Sequence, residues 1–153
     1  RGKRVLAIDE GPTVTHGELP YDFGYVAAER YGAAEIVDPR PFAVGDLKAT
    51  FEKFPHLGNV LPSMGYGEKM IRDLEQTIAN SDVDVVVSGT PIDLRRVMKI
   101  DKPLVKADYK LQEIGYPTLL DVIKKKFGKW SYERETTGPI YLTGCFFMEL
   151  DDL

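Results

Sequence analysis

The residues best suited to chemistry lie in segment 9–17, directly after a short apolar run. Asp9 and Glu10 follow apolar residues 5–8, which predict a buried strand ending in two carboxylates. Mg²⁺ prefers oxygen ligands and is often held by one or two carboxylates together with substrate phosphates. Nucleotide hydrolases often place an acid at the end of an apolar strand for this ion or its water. We therefore predict that Asp9 and Glu10 bind Mg²⁺ and act in catalysis, the alternative being a turn with solvated acids.

Three more polar side chains follow in the same segment. Thr13, Thr15 and His16 carry groups that suit the oxygens of a phosphate or carboxylate. We predict that the two threonines contact substrate phosphate and that His16 acts in catalysis. Residues 11–24 contain three glycines and two prolines, so they predict a functional loop longer than an ordinary connection.

A second polar segment follows the β-branched run 82–87. Ser88, Gly89, Thr90 and Asp93 offer two hydroxyls, a carboxylate and a glycine that lets backbone approach a ligand. We predict that these four residues bind a nucleotide. The alternative is an ordinary strand-to-helix loop in which Asp93 caps the next helical turn.

Three arginines are candidates for binding an anionic substrate. Arg40 is held between Pro39 and Pro41, and Arg95 and Arg96 follow the 88–93 segment. Guanidinium groups bind phosphate through paired donors, so we predict substrate or phosphate contacts for all three. A plain turn at Arg40, and surface positions for Arg95 and Arg96, are the alternatives.

The elements that must position these residues alternate between strand and helix. Strands are predicted over 5–8, 35–38, 59–61, 82–87 and 103–109, with another over 140–150. The clearest helices are 68–80, with an apolar stripe on one side, and 119–127, capped by Thr118. This order predicts an α/β fold, a mostly parallel sheet with helices on both faces. Segments 9–17 and 88–93 should then meet at one edge of the sheet, where ligands bind.

The turn 64–67 precedes the 68–80 helix and contains two glycines. A glycine-containing helix start can bind an anion, but Gly65-Tyr66-Gly67 is a weak signal and a plain helix start is favoured. The sequence contains no Gly-x-x-x-x-Gly-Lys-Ser/Thr phosphate-binding loop.

Composition narrows the class of protein. The chain has 153 residues, of which 43% are hydrophobic and 29% charged, a composition typical of a globular protein. A net charge of −4 argues against a nucleic-acid partner, and no apolar run approaches the roughly 20 residues that span a bilayer. Cys145 stands alone and predicts a buried structural thiol in a reducing cytoplasm. A zinc site built on His16 and His56 is disfavoured.

Four segments together resemble one enzyme family. They are 8–17 (IDEGPTVTHG), 33–41 (AAEIVDPRP), 61–67 (LPSMGYG) and 88–94 (SGTPIDL). In this order they resemble the cyclic 2,3-diphosphoglycerate synthetase family, which includes proteins described as predicted GTPases. The resemblance runs from about Val5 to Val122.

The resemblance implies part of an ATP- or GTP-dependent enzyme with a P-loop-NTPase-like fold that acts with magnesium on a phosphorylated small molecule. It implies that Asp9 or Glu10 occupies the family's acidic position beside the magnesium ion. It also implies that residues 88–93 lie near the nucleotide base or the substrate. Residues 1–127 would form the catalytic domain's C-terminal part, with 128–153 as an unassigned extension. The phosphate-binding loop would lie upstream in the same protein. Apart from the resemblance, an incomplete sheet edge would favour self-association, so a homo-oligomer is a further possible partner arrangement. A non-catalytic module that binds a phosphorylated metabolite or mediates assembly is the alternative.

Overall fold

The computed structural model describes residues 1–108 and 113–127. These residues belong to two compact units, the first containing 1–108 and the second containing 113–127. The predicted strand over 140–150, the 128–153 extension and Cys145 lie outside the described residues.

The first unit alternates strands and helices as predicted. Its strands are β1 Arg4–Glu10, β2 Glu35–Ile36, β3 Leu61–Ser63, β4 Val85–Ser88 and β5 Leu104–Lys106. Its helices are α1 Gly11–His16, α2 Phe23–Arg30, α3 Gly45–Lys53 and α4 Glu68–Asn80. Short 3-10 turns occupy Arg40–Phe42 and Leu94–Arg96.

All five strands belong to one parallel sheet in the order β2-β1-β4-β5. The third strand lies off this path and pairs with β1. The first half of β1 pairs with β2, and its last residues pair with β3. The predicted α/β fold with a parallel sheet is therefore confirmed.

The face of the sheet that packs against α3 and α4 carries the larger core. Leu6 and Ile8 of β1 pack there with Leu47 of α3 and with Leu74 and Ile78 of α4, all five nearly inaccessible to solvent. Burying one such side chain stabilises the fold by about 1.5–3 kcal/mol. The apolar stripe predicted for 68–80 is the side of α4 that makes this contact.

The opposite face packs against α2 through small residues. Val5, Ala27, Ala28, Val87 and Ala107 form this second cluster. The sheet and α2 leave beside them an apolar cavity of about 310 Å³, lined in part by Val5, Val85 and Val105. Helices therefore cover both faces, as predicted, but the two layers differ in side-chain size.

One loop prediction was wrong. Residues 11–16, expected to begin a long loop, form α1, which is followed by α2 from Phe23. The glycine and proline at 11 and 12 occupy the first turn of the helix, where proline needs no N–H partner and its fixed φ suits the helix. The third strand was also displaced, since it covers Leu61–Ser63 and not 59–61.

In the second unit, α5 covers Leu119–Phe127. The backbone N–H of Asp121 donates to Thr118 Oγ1 at 3.2 Å, while the Thr118 N–H donates to the Asp121 carboxylate at 3.0 Å. This reciprocal pair is a capping box, so the predicted cap at Thr118 is confirmed. Lys124, Lys125 and Lys126 fill its last turn, where positive charge complements the helix dipole.

Candidate active site at the carboxyl edge of the sheet

The sheet register brings the two predicted segments together. Ile8 of β1 is aligned with Ser88 of β4, and the Gly89 N–H donates to the Ile8 carbonyl oxygen at 2.8 Å. On neighbouring strands, Ser63 is aligned with Glu10, and Lys106 with Ser88. The predicted convergence of 9–17 and 88–93 at one edge of the sheet is confirmed.

Asp9 lies at the centre of this edge and is inaccessible to solvent. Its Oδ2 accepts the N–H of Asp22 at 2.8 Å, and its Oδ1 accepts the N–H of Gly24 at 2.6 Å. Asp22 precedes α2 but provides no side-chain cap. The carboxylate of β1 therefore caps α2 from outside the helix, a position that favours negative charge.

Burial raises the pKa of Asp9 from its ordinary value of 3.8 to about 6. The N–H groups of Asp22 and Gly24 oppose that shift, because they stabilise the ionised form. The geometry thus gives Asp9 a positioning role between β1 and α2. Its predicted roles in metal binding and catalysis stay predictions.

Two glycines allow this part of the edge to close tightly. A Cβ on Gly24 would lie 2.6 Å from Asp9 Oδ1 and 2.9 Å from the Gly89 nitrogen. A Cβ on Gly89 would lie 2.3 Å from the Gly24 nitrogen. These glycines let α2 and the turn after β4 meet directly over Asp9. We predicted from the sequence that Gly89 lets a ligand come close to the backbone. In the structure, the backbone of Gly24 comes close to Gly89.

The polar residues of α1 differ in accessibility. Thr15 is buried, and its hydroxyl donates to the Gly11 carbonyl oxygen at 2.7 Å within the helix. Thr13 Oγ1 lies 3.4 Å from Glu10 Oε2, and the exposed His16 places its Nδ1 3.0 Å from Thr15 Oγ1. Among the polar residues of segment 9–17, Glu10, Thr13 and His16 are therefore the ones with solvent-accessible side chains.

The hydroxyls after β4 bond with one another. Ser88 Oγ and Thr90 Oγ1 are 2.7 Å apart, and Thr90 Oγ1 donates to the Ile92 carbonyl oxygen at 3.0 Å. Asp93 accepts the backbone N–H of Arg95 at 3.1 Å, which is the capping arrangement considered from sequence. The Arg95 guanidinium hydrogen-bonds the same carboxylate and lowers the pKa of Asp93. Nucleotide binding by this segment stays a prediction.

Two of the three predicted phosphate-binding arginines, Arg40 and Arg95, have protein partners. Arg40 donates to the Leu57 carbonyl oxygen, pairs with Asp38 at 2.9 Å and lies 5.6 Å from the centre of the Phe51 ring. Arg95 pairs with Asp93 at 2.9 Å, while Arg96 lies exposed beside it. Phosphate contacts by these arginines stay predictions.

Sequence reasoning missed two groups of residues at this edge. Asp22 and Gly24 supply the N–H groups that hold Asp9, and no residue type signals a backbone donor. Ser63, at the end of β3, is buried without a partner for its hydroxyl among the described residues. Its position before two glycines at the end of a strand was the available signal.

The arrangement of the acidic side chains bears on metal binding. Within residues 1–108 and 113–127, no group of three or more histidine, cysteine or acidic side chains is arranged to hold an ion. Both oxygens of Asp9 accept backbone N–H groups, so Glu10 is the more available carboxylate of the predicted pair. A single carboxylate fits Mg²⁺ only when substrate phosphates supply other ligands.

In the described ranges, every helix falls short of the length and apolar character needed to cross a bilayer.

Comparison with known proteins gives one clear relative. Over 125 residues the chain is 55% identical to the protein named arginine synthetase ArcE from Thermococcus kodakarensis. The aligned region covers 82% of this chain but 28% of that relative. No protein-family model and no solved structure matches the chain.

The similarity to arginine synthetase can be compared with the family resemblance described from the sequence. A relationship to a synthetase, which that resemblance implied, is confirmed at this general level. Assignment to the cyclic 2,3-diphosphoglycerate synthetases in particular stays a prediction. Most of the chain is thus homologous to a limited part of a synthetase.

Proposed function

We propose that this chain is one part of an ATP- or GTP-dependent synthetase that uses magnesium and handles a phosphorylated small molecule. The observation that carries the proposal is the 55% identity to arginine synthetase over 125 residues. By that relationship, the product of the whole enzyme is arginine or a closely related amino acid. Because the chain corresponds to 28% of the relative, the complete activity belongs to a longer protein.

The carboxyl edge of the sheet supports this assignment. Glu10, Thr13 and His16 form its accessible polar surface, while the buried Asp9 fixes α2 behind them. We assign Glu10 to a magnesium ion that is also bound by substrate or nucleotide phosphates. His16 and Thr13 then provide hydrogen bonds to the phosphorylated group.

The test uses the full-length protein that contains this chain. Because the second substrate is unidentified, the reaction is run in reverse, with arginine, phosphate, Mg²⁺ and either ADP or GDP, and formation of ATP or GTP is measured. We expect arginine-dependent formation of nucleoside triphosphate that requires Mg²⁺. The Glu10→Gln variant should lower the rate about a hundredfold, because it removes the charge that holds the ion.

A matched control is Glu52→Gln, which makes the same change at an exposed position of α3. This variant should retain the wild-type rate. Full activity in Glu10→Gln would refute the assigned role. If neither nucleotide is formed by the wild-type protein with arginine, the arginine assignment fails. If Glu10→Gln keeps full turnover while deletion of this part of the protein abolishes it, the non-catalytic assembly module is favoured.

A further inference from the structure

The turn between β3 and α4 contains a buried polar group that has no bonding partner in the part of the chain that the structure describes. Ser63 ends β3 and is 3% exposed. Among the described residues, its hydroxyl oxygen is buried and makes no hydrogen bond. Leaving such a group unsatisfied costs about 1–3 kcal/mol, so a hydroxyl at this position calls for a ligand or another function.

The direction of the Ser63 side chain follows from the sheet register. Leu61 is aligned with Ile8, and both pack in the core between the sheet and α4. Side chains two residues apart on a strand point to the same face. Ser63 therefore points to the face that carries α4, and α4 begins five residues later at Glu68.

The N-terminus of α4 lacks a side-chain cap. The helix has 13 residues, and Gly67 occupies the N-cap position with no side-chain hydrogen bond. The N–H groups of the first helical residues have no partner within a helix. With the helix dipole they attract negative charge, and they follow Ser63 along the chain after the short 64–67 turn.

The turn itself leaves room on its outer side. A Cβ built on Gly65 or on Gly67 would have no heavy atom of the described ranges within 4 Å. On the inner side the turn is fixed, because a Cβ on Gly11 of α1 would lie 2.4 Å from the Ser63 carbonyl oxygen. Gly65 has a φ of 134°, a conformation that favours glycine, so the outer part of the turn is built from residues that can adjust.

The charges around the turn have partners of their own. Lys69 pairs with Asp46, and Glu68 pairs with Arg72 at 3.7 Å. Glu10 is aligned with Ser63 on the neighbouring strand and is the one acid directly beside the hydroxyl in the register. Its charge disfavours a bare dianion and favours a singly charged group or a phosphate that carries Mg²⁺.

We propose that Ser63 and the first N–H groups of α4 form a binding site for the oxyanion group, carboxylate or phosphate, of a small molecule. The ligand oxygen accepts from the Ser63 hydroxyl and from N–H groups of residues 68–70. Because the hydroxyl is shielded from solvent, binding displaces the 64–67 turn. The site is distinct from Asp9 and from the 88–93 segment, and it does not depend on the proposed synthetase activity.

The test is a titration of the 153-residue chain followed by amide NMR, without nucleotide. Inorganic phosphate, phosphate with Mg²⁺, and acetate are added separately at constant ionic strength, with chloride as the reference ion. We expect saturable shifts centred on the amides of Ser63 and residues 65–70 for at least one oxyanion. The arm that saturates at the lowest concentration identifies phosphate, magnesium phosphate or carboxylate as the group bound.

The variant Ser63→Ala should weaken that binding about tenfold, since it removes one hydrogen bond to an anion. The control Ser81→Ala makes the same change at the other end of α4, where the buried hydroxyl donates to the Ile78 carbonyl oxygen at 2.6 Å. This control should keep wild-type oxyanion affinity and lower the melting temperature by about 3 °C, whereas Ser63→Ala should leave the melting temperature unchanged or raised.

Two results would overturn the proposal. The first is the absence of saturable shifts at these amides with all three additions. The second is unchanged affinity in Ser63→Ala. Both readouts concern binding alone, so failure of the reverse synthetase assay would leave the proposal standing.

Discussion

The region around Asp9, where β1 and the turn after β4 meet the start of α2, differs from the turn after β3, although both lie at the same edge of the sheet. Around Asp9, both carboxylate oxygens accept backbone N–H groups, and Gly24 and Gly89 are in contact. Around Ser63, a buried hydroxyl lacks a partner and the positions of Gly65 and Gly67 face open space, as far as residues 1–108 and 113–127 are concerned. One region is closed by its own backbone, while the other retains unused donors.

This difference shows that polar residues at the carboxyl edge of a parallel sheet can have structural partners within the protein. The Asp9 carboxylate has the residue type expected of a metal ligand, yet its oxygens hold α2. The capacity of a site to bind a ligand therefore depends on which hydrogen-bonding groups remain without partners after folding.

The largest expected effect comes from adding a methyl group to the closed region. Gly89→Ala should lower the free energy of unfolding by about 4 kcal/mol, because the new Cβ would lie 2.3 Å from the Gly24 nitrogen and meet backbone that cannot move aside. Chemical denaturation measures the loss. The control Gly67→Ala, at a position with open space and a φ of −68°, should cost at most about 1 kcal/mol. Equal losses in the two variants would contradict the contrast between the regions.

A smaller effect should appear as a dependence of stability on pH. The pKa of Asp9 is about 6 in the folded chain, above its ordinary value of 3.8, so the folded state binds this proton more tightly than the unfolded state. The associated stabilisation, on the order of 2 to 3 kcal/mol, is fully present below pH 3.8 and is lost as the pH rises through about 6.

Denaturation curves between pH 3.5 and about 7 measure this contribution as the difference between wild type and Asp9→Asn. Asp101→Asn, at an exposed position, provides the matched control and should follow the wild-type curve. A wild-type profile in Asp9→Asn would show that this carboxyl group does not titrate in the stated range.

The smallest effect concerns the arginines. Arg40→Ala should lower the free energy of unfolding by about 1.5 kcal/mol, because its guanidinium joins the Leu57 carbonyl oxygen to Asp38 and covers Phe51. Arg95→Ala, which removes an exposed ion pair with Asp93, should cost about 0.5 kcal/mol. Thermal denaturation of both variants checks the order. A larger loss in Arg95→Ala would contradict the structural role given to Arg40.

Local patterns in the sequence were sufficient to predict much of the fold. The apolar stripe of 68–80 predicted α4 at both ends, and the valine-rich run before Ser88 predicted a buried parallel strand. The alternation of elements also predicted that Asp9 and Ser88 meet at one edge. These features depend on spacing and side-chain type, which are visible along the chain.

The pairings at the site were not predictable in the same way. The partners of Asp9 are backbone N–H groups 13 and 15 residues away, and backbone donors have no sequence signature. Gly11 and Pro12 suggested a loop because these residues are common in turns, although both also suit the first turn of a helix. The lone hydroxyl of Ser63 becomes evident only when every neighbouring partner is known.

The position of β1 among its partners has a consequence for assembly. Residues of this strand pair with residues 35–36, 61–63 and 85–88, so Val5 meets Val85 only after residues 6–84 have been synthesised. Closing a loop of this length costs conformational entropy before strand pairing contributes any stabilisation. This cost slows the formation of parallel sheets. The apolar β1 segment is therefore synthesised well before its neighbour β4, and until β4 is available it remains exposed to wrong associations.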